Sequence, residues 1–236
     1  MFIVEGRVVL EKATRSMPER LASVLVAEHR VEALAEVLAP LAPGTPVYAA
    51  TQAVMDRVVG FPIHRGILAV GRRPTPIAED LLAQAPDRAL VVGLVGIANH
   101  DNMGGIFRNA AAFGVDAILL DDTCCDPLYR KAIRVSVGGV LSVPFARAGS
   151  ALEMVDLLQG AGFDVMALSP RGETPLDEFP SRRRTAALFG AEGPGLPAEV
   201  LGRIRGVRIE MSGGFDSLNV ATTSGIVLHR LARVGG

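Results

Sequence analysis

The sequence predicts an α/β protein: a small N-terminal α/β unit followed by an open, mainly parallel sheet of six strands. Three observations carry that prediction. Short apolar runs recur between helical segments, the pattern of βα units whose strands are buried on both faces. The longest run, residues 89–98, opens the second half and leads into a helical pattern that stops at Gly114, a natural left-handed cap. Two late loops of unusual composition, Gly190-Ala-Glu192-Gly-Pro-Gly195-Leu-Pro and Ser212-Gly-Gly-Phe-Asp-Ser217-Leu-Asn219, each leave a short apolar run. Open parallel sheets bind ligands at the carboxyl ends of their strands. Glycines there let main chain lie close to a small molecule, although ordinary surface turns share the composition.

Taken in order, residues 2–4 read as an apolar start, 6–15 as a helix and 21–27 as a strand. A helix at 31–38, a strand at 47–49, a helix at 51–59 and a strand at 66–70 complete a first domain, assigned to residues 1–75. Pro76 and Pro86 bound a linker over 76–88 that carries one short helix. The second domain, 89–236, has strands expected at 89–97, 116–120, 140–145, 164–168, 185–189 and 207–211. Its helices are expected at 103–113, 151–161, 197–204 and 218–234. Because the chain begins inside an apparent strand, a longer natural N-terminus is expected.

Composition narrows the function. The apolar share of 49% is ample for a core, and the longest apolar run is about half a bilayer span. No basic, apolar leader opens the chain, so a cytoplasmic location is expected. Cys124 and Cys125 are the only cysteines, and as neighbours they suggest a reducing compartment and no disulfide framework. They and four scattered histidines give no metal-ligand spacing. Net charge is −1, which argues against a generally polycationic nucleic-acid binder. Lys12 and Lys131 are the only lysines, so local positive charge is nearly all arginine, which suits phosphate.

Candidate chemistry gathers in three places. Asn102, Gly104 and Arg108 share the first loop and helix after the strongest strand; a lone helix arginine is more often a solvated side chain. No dinucleotide fingerprint or Walker lysine follows that strand. Ser217 reads as the N-cap of the last helix, with Asn219 in its first turn, and Glu192 sits between loop residues that leave it a surface carboxylate or a site group. A second reading places a magnesium ion among Asp101, Asp121 and Asp122 at neighbouring strand ends, for phosphoryl transfer.

In combination the residues are more specific. Asn102-x-Gly104-x-x-x-Arg108, Gly190-Ala-Glu192-Gly-x-Gly195-Leu and Ile209-x-Met211-x(5)-Ser217-Leu-Asn219-Val resemble, in order and spacing, the three motifs of the SpoU family of RNA 2′-O-methyltransferases, of the SPOUT class. The resemblance covers about residues 89–234. Two departures stand out: Ala191 precedes Glu192 where an Asn is usual, and Val-Ala-Thr222-Thr-Ser224-Gly follows Asn219 where Ser-Val-Ala is common. The N-terminal Phe2-Ile-Val-Glu5-Gly-Arg7 and His64-Arg-Gly66-Ile are similar to a small RNA-binding domain of ribosomal-protein type.

The resemblance implies a C-terminal trefoil knot and S-adenosylmethionine held by Gly190, Ile209 and Leu218, with Leu168 and Met211 beside the adenine. It implies a homodimer in which Arg108 works near the methyl group bound by the other subunit, as base in the family account, oriented by Asn102. A permanently charged guanidinium is a poor base. Arg108 is better read as a group that positions phosphate and hydroxyl. Glu192, Ser217 and Asn219 would shape the site and fix the RNA end. The implied partner is RNA, ribosomal in preference to transfer RNA, with no DNA expected. Arg130, Lys131 and Arg134, with Arg182, Arg183 and Arg184, are basic clusters read either as RNA path or as solvated faces. A non-catalytic RNA-binding factor on the same fold is the remaining alternative.

Overall fold

The computed structural model describes residues 1–63, 65–180, 182–213 and 217–234, so His64 and residues 214–216 of the second loop lie outside the described residues. Two sheets form. The first has the order β1-β4-β2-β3, from β1 (Phe2–Glu5), β2 (Leu21–Ala27), β3 (Val47–Ala50) and β4 (Ile67–Gly71). Strand β4 runs antiparallel to β1 and β2, and β3 parallel to β2. Helices α1 (Arg7–Ser16), α2 (Ala35–Leu38) and α3 (Gln52–Val59) complete this unit. The expected helix over 31–38 is only partly one: residues Glu32–Leu34 make a 3-10 turn, and α2 is its last turn. A short helix, α4 (Ala78–Ala83), lies in the linker as expected.

The second sheet has the order β7-β6-β5-β10-β8-β11-β9, all parallel, from β5 (Ala89–Leu94), β6 (Ala117–Leu120), β7 (Phe145–Arg147), β8 (Asp164–Leu168), β9 (Thr174–Pro175), β10 (Arg184–Phe189) and β11 (Arg205–Arg208). It carries α5 (His100–Ala112), α6 (Arg130–Val135), α7 (Ala151–Gly160), α8 (Ala198–Leu201) and α9 (Val220–Val234). Seven strands replace the six expected, because two-residue β9 extends the edge beyond β11.

The expected strand over 140–145 is corrected. Gly139–Leu141 form a 3-10 turn, entered through Gly138 at φ 78, and Gly139 lies so close to α5 that a Cβ there would sit 2.8 Å from the Phe107 carbonyl oxygen. Apolar Val140 and Leu141 are buried under α5 rather than paired in a ladder, and β7 starts only after Pro144. Helix α6 had no expected counterpart. It is six residues, three of them basic, after a Pro-Leu-Tyr stretch, too short for a clear apolar period.

Strands β5 and β10 show why their sequences are apolar without alternation. Val92, Leu94, Ala187 and Phe189 face one core, while Val91, Ala186 and Leu188 face the other. Ile106, Phe107 and Met103 of α5 fill the first core with no exposure, each worth on the order of 2–3 kcal/mol in burial. The same apolar cluster continues to Phe2, Val4 and Leu10 beneath the first sheet. Polar ties run beside it: Arg130 pairs with Glu5 at 2.7 Å, and Arg73 pairs with Asp126.

Candidate active site

Strands β10, β8 and β11 lie side by side, and because all run parallel their exits share one edge. Those exits enclose a cavity of about 360 Å³, inside the size range of small-molecule sites. Its walls combine main chain of the turn after β10 with Leu168, Ile209, Met211 and Leu218. Strand β11 ends at Arg208, short of the expected residue 211, and this frees Ile209 and Met211 to line the cavity.

The turn after β10 is closed by the Gly195 amide donating to the Ala191 carbonyl at 2.9 Å. Gly193 (φ 87) and Gly195 (φ 73) hold left-handed conformations that a side chain resists. Gly190 is fixed by proximity: a Cβ would sit 2.3 Å from the carbonyl carbon of Gly195 and from the Leu196 nitrogen. These are backbone atoms and cannot step aside, so the turn's own closure requires this glycine.

Asn219 joins all three motif segments. Its Nδ2 donates to Asn102 Oδ1 at 2.9 Å and to Glu192 Oε1 at 2.9 Å. Its Oδ1 accepts from the amides of Ala221 at 2.9 Å and Thr222 at 3.2 Å, the second and third residues of α9. Asn219 is therefore the N-cap of α9. The expectation that Ser217 caps this helix is corrected: helix α9 starts at Val220, two residues later than expected, and Ser217 is exposed on the cavity wall beside Leu218. Asn102 is buried, at 6% exposure, so its carbonyl depends on the Asn219 bond.

Helix α5 is held against both neighbours through its glycines. A Cβ on Gly104 would sit 2.8 Å from the Ala132 carbonyl oxygen of α6, and one on Gly105 would sit 2.7 Å from the Ala221 Cβ of α9. Asn109 adds donors to the Ala221 carbonyl at 2.7 Å and Ser224 Oγ at 2.9 Å. This close contact keeps Asn102 within reach of Asn219.

Arg108 is not brought into the cavity. It is exposed and lines a separate depression of about 410 Å³ between α5 and α9, with Gly105, Asn109 and Thr222. Half of the proposed basic cluster residues are ion-paired. Arg130 pairs with Glu5 and lies 5.1 Å from the Phe61 ring centroid, while Lys131 pairs with Asp101 at 2.6 Å. Arg182 lies 3.5 Å from Asp164, and Arg184 donates to the Leu82 carbonyl at 3.0 Å while standing over Phe163. Arg134 and Arg183 remain exposed.

The carboxylates do not assemble as a metal site. Asp121 is buried and accepts from the amides of Gly96, Thr123 and Cys124 and from the Thr123 hydroxyl at 2.7 Å, so it organises the loop after β6. Asp101 is held by Lys131, and no group of potential metal ligands forms among the described residues. Burial pushes the Cys124 thiol up to about 12, and its Sγ donates to the Leu94 carbonyl at 3.3 Å, so it is a packing group. Sequence reasoning missed Ser169, Pro170 and Thr223, which also line the cavity. Ser169 follows β8 as Gly190 follows β10, a positional signal that was legible. No described helix is long and apolar enough to cross a membrane.

A model of the SpoU rRNA Methylase family matches residues 89–229, more than half of the chain. The chain belongs to this SpoU family. All three segments meeting at Asn219 fall inside the SpoU match. An uncharacterized tRNA/rRNA methyltransferase of Mycobacterium tuberculosis is 42% identical over 242 residues, spanning 100% of this chain and 82% of the relative. Among solved structures, an RNA 2′-O ribose methyltransferase superposes with TM-score 0.79 at 28% identity, over 98% of this chain and 88% of that one. The SpoU methyltransferase AviRb of Streptomyces viridochromogenes, in complex with AdoMet, shares the fold with TM-score 0.85 at 22% identity, over 99% and 90% of the two chains.

Proposed function

We propose that this SpoU chain transfers a methyl group from S-adenosylmethionine to a ribose 2′-hydroxyl of structured RNA, ribosomal RNA in preference to transfer RNA. The observation that carries the reading is the Asn219 junction, which ties buried Asn102 to Glu192 where Asn219 and Glu192 line a cavity walled by main chain and apolar side chains. A cavity of about 360 Å³ with Leu168, Ile209, Met211 and Leu218 on its walls fits an adenosyl group, and the closed turn from Gly190 offers main-chain partners. The AdoMet held by AviRb on the same fold supports this cofactor, and the 2′-O ribose methyltransferase of like fold supports the acceptor.

When bound, the cofactor supplies an electrophilic methyl on a sulfonium. The chain's contribution is to hold the acceptor oxygen in line with it, since positioning alone accounts for a large part of such a rate. Glu192 and Asn219, exposed at the rim, would fix the RNA end, and Ser217 lies beside them. Arg108 positions the phosphate and hydroxyl and stabilises the developing alkoxide, with the proton passing to solvent or a neighbour. Since Arg108 lines a different depression from the cavity, it acts on the site of a second copy across α5 and α9, in a homodimer.

The same reading assigns residues 1–75 to RNA binding, 76–88 to a linker and 89–236 to the methyltransferase, and it has α9 threaded through the turns of the sheet edge as a trefoil knot. The test is transfer of labelled methyl from S-adenosylmethionine to ribosomal RNA, followed by alkaline hydrolysis. A 2′-O-methyl leaves an alkali-resistant dinucleotide carrying the label. Label released wholly in mononucleotides contradicts ribose methylation, and no transfer contradicts the activity.

A further inference from the structure

Ion pairing takes up Arg130, Lys131 and Arg182 of the basic residues expected on an RNA path, whereas a different set of arginines gathers without ion pairs at the first sheet. Three adjacent strand ends of the first sheet each carry one. Arg7 follows β1, Arg65 precedes β4 and Arg30 follows β2, and the sheet order sets β4 between the other two. The Gly6 amide donates to the Ile67 carbonyl and the Ala27 amide to the Gly66 carbonyl, which fixes these ends side by side. Neighbouring strands lie about 5 Å apart, so the three backbones fall within roughly 10 Å of one another.

The side chains are set over glycine. A Cβ on Gly6 would sit 3.0 Å from Arg65 Cδ and 3.2 Å from its Nη1, and one on Gly66 would sit 3.3 Å from Arg30 Nε. Arg30 Nε is buried with no hydrogen-bond partner, a state that normally calls for one. Neither Arg7 nor Arg65 pairs with any described residue, whereas Glu5, the acid nearest in sequence, is taken by Arg130. Glu28 and Glu32 flank Arg30 in sequence but form no ion pair with a described residue, and three guanidinium groups gathered at one sheet edge favour an anion. Beside this edge, Arg130, paired with Glu5 at the end of β1, stands over exposed Phe61, and exposed Tyr129 precedes it with its ring 4.3 Å from that of His100 at the start of α5. Guanidinium groups followed by exposed rings suit a nucleic acid strand, with charge for phosphates and faces for bases.

We propose that Arg7, Arg30 and Arg65 form a phosphate-binding site for the RNA backbone, the anchor from which the strand runs past Phe61 and Tyr129 to the cavity. The proposal rests on the RNA-methyltransferase reading. The test uses the full chain with labelled ribosomal RNA, measuring affinity between roughly 50 and 200 mM salt, a range over which phosphate contacts are resolved. The variant Arg7→Ala/Arg65→Ala alters exposed side chains only, Arg30→Gln probes the partly buried one, and Arg203→Ala, distant and paired with Asp156, is the control. Loss of two contacts lowers the slope of log affinity against log salt by about 1.4 to 1.8 and weakens binding at least about tenfold at low salt. Binding of S-adenosylmethionine stays unchanged. Slopes equal to wild type in both variants overturn the proposal, and so does an equal loss in Arg203→Ala, which marks only non-specific charge. Wild-type chain that binds the cofactor but no RNA overturns the underlying reading instead. Duplex DNA and phosphopeptide serve as competitors, and displacement of RNA by either at equal concentration assigns the patch to that partner.

Discussion

The Nδ2 of Asn219 lies 2.9 Å from Oδ1 of Asn102, joining residues 117 positions apart in sequence. The same amide reaches Glu192, and the same side chain caps α9. One residue thus couples the start of the last helix to the first motif helix and to the glycine turn.

Replacing Asn219 separates these duties. Asn219→Ala loses the cap and leaves the buried Asn102 carbonyl without its donor, together about 2 kcal/mol of stability. Asn219→Asp keeps an acceptor for the Ala221 and Thr222 amides but loses both donors and faces Glu192 with a second carboxylate. Thermal unfolding should show a smaller loss for Asp than for Ala, while calorimetry shows cofactor affinity weakened in both. Equal stability loss in the two would contradict the capping role.

Contact between α5 and α9 predicts a size complementation. Gly105→Ala places a methyl 2.7 Å from the Ala221 Cβ and should destabilise the chain by about 1–3 kcal/mol through overpacking. The double variant Gly105→Ala/Ala221→Gly removes the opposing methyl and should recover most of the loss. A double variant no more stable than the single one places the strain elsewhere.

The Arg73–Asp126 pair gives a pH dependence. Burial acts to raise the Asp126 pKa, but the Arg73 hydrogen bond and the Leu128 amide outweigh it and hold the carboxyl below its usual range. A carboxylate with a lowered folded pKa contributes stability that is present above its unfolded pKa of about 4 and lost as pH falls through the folded value. Asp126→Asn should therefore cost about 0.5–1 kcal/mol at pH 7, a partly exposed pair being screened, and the difference should narrow in acid. Denaturant unfolding across that range checks it; a difference independent of pH means the ion pair is not the cause.

The proposed homodimer, with Arg108 outside its own cavity, predicts complementation between subunits. Arg108→Ala should bind cofactor normally yet lose turnover, and Arg108→Lys should lose most of it because an ammonium lacks the planar fork. Mixing Arg108→Ala with Gly190→Ala chains should restore on the order of a quarter of wild-type activity, since half of randomly formed dimers are mixed and each holds one complete site. No recovery, with dimers verified, means Arg108 serves its own subunit.

The parallel sheet, the glycine turn and the trio of Asn102, Glu192 and Asn219 were legible because each depends on local pattern or on ordered motifs. Leu168, Gly190, Ile209, Met211 and Leu218, which line the cavity, were indicated by the family resemblance. What escaped depended on distant partners. Arg130 reads as free charge until Glu5, 125 residues away, is folded against it. Ser217 reads as a cap because serine caps helices well, yet where α9 begins is decided by the contacts of Asn219 with Asn102 and Glu192. Apolar Val140 and Leu141 look like a strand, and only their close fit under Phe107 bends them into a 3-10 turn. Arg7, Arg30 and Arg65 are too far apart in sequence to read as a cluster, and the order of the first sheet alone sets them together.

Titration of S-adenosylmethionine into wild-type and Gly190→Ala chains by calorimetry tests the central claim, that the turns meeting at Asn219 form the methyl donor's pocket. A Cβ at residue 190 must displace main chain of the turn, so the account predicts heat from one site per chain in wild type and none in a Gly190→Ala chain that still unfolds cooperatively. Wild-type chain that gives no heat, or a variant that binds as tightly as wild type, would contradict it.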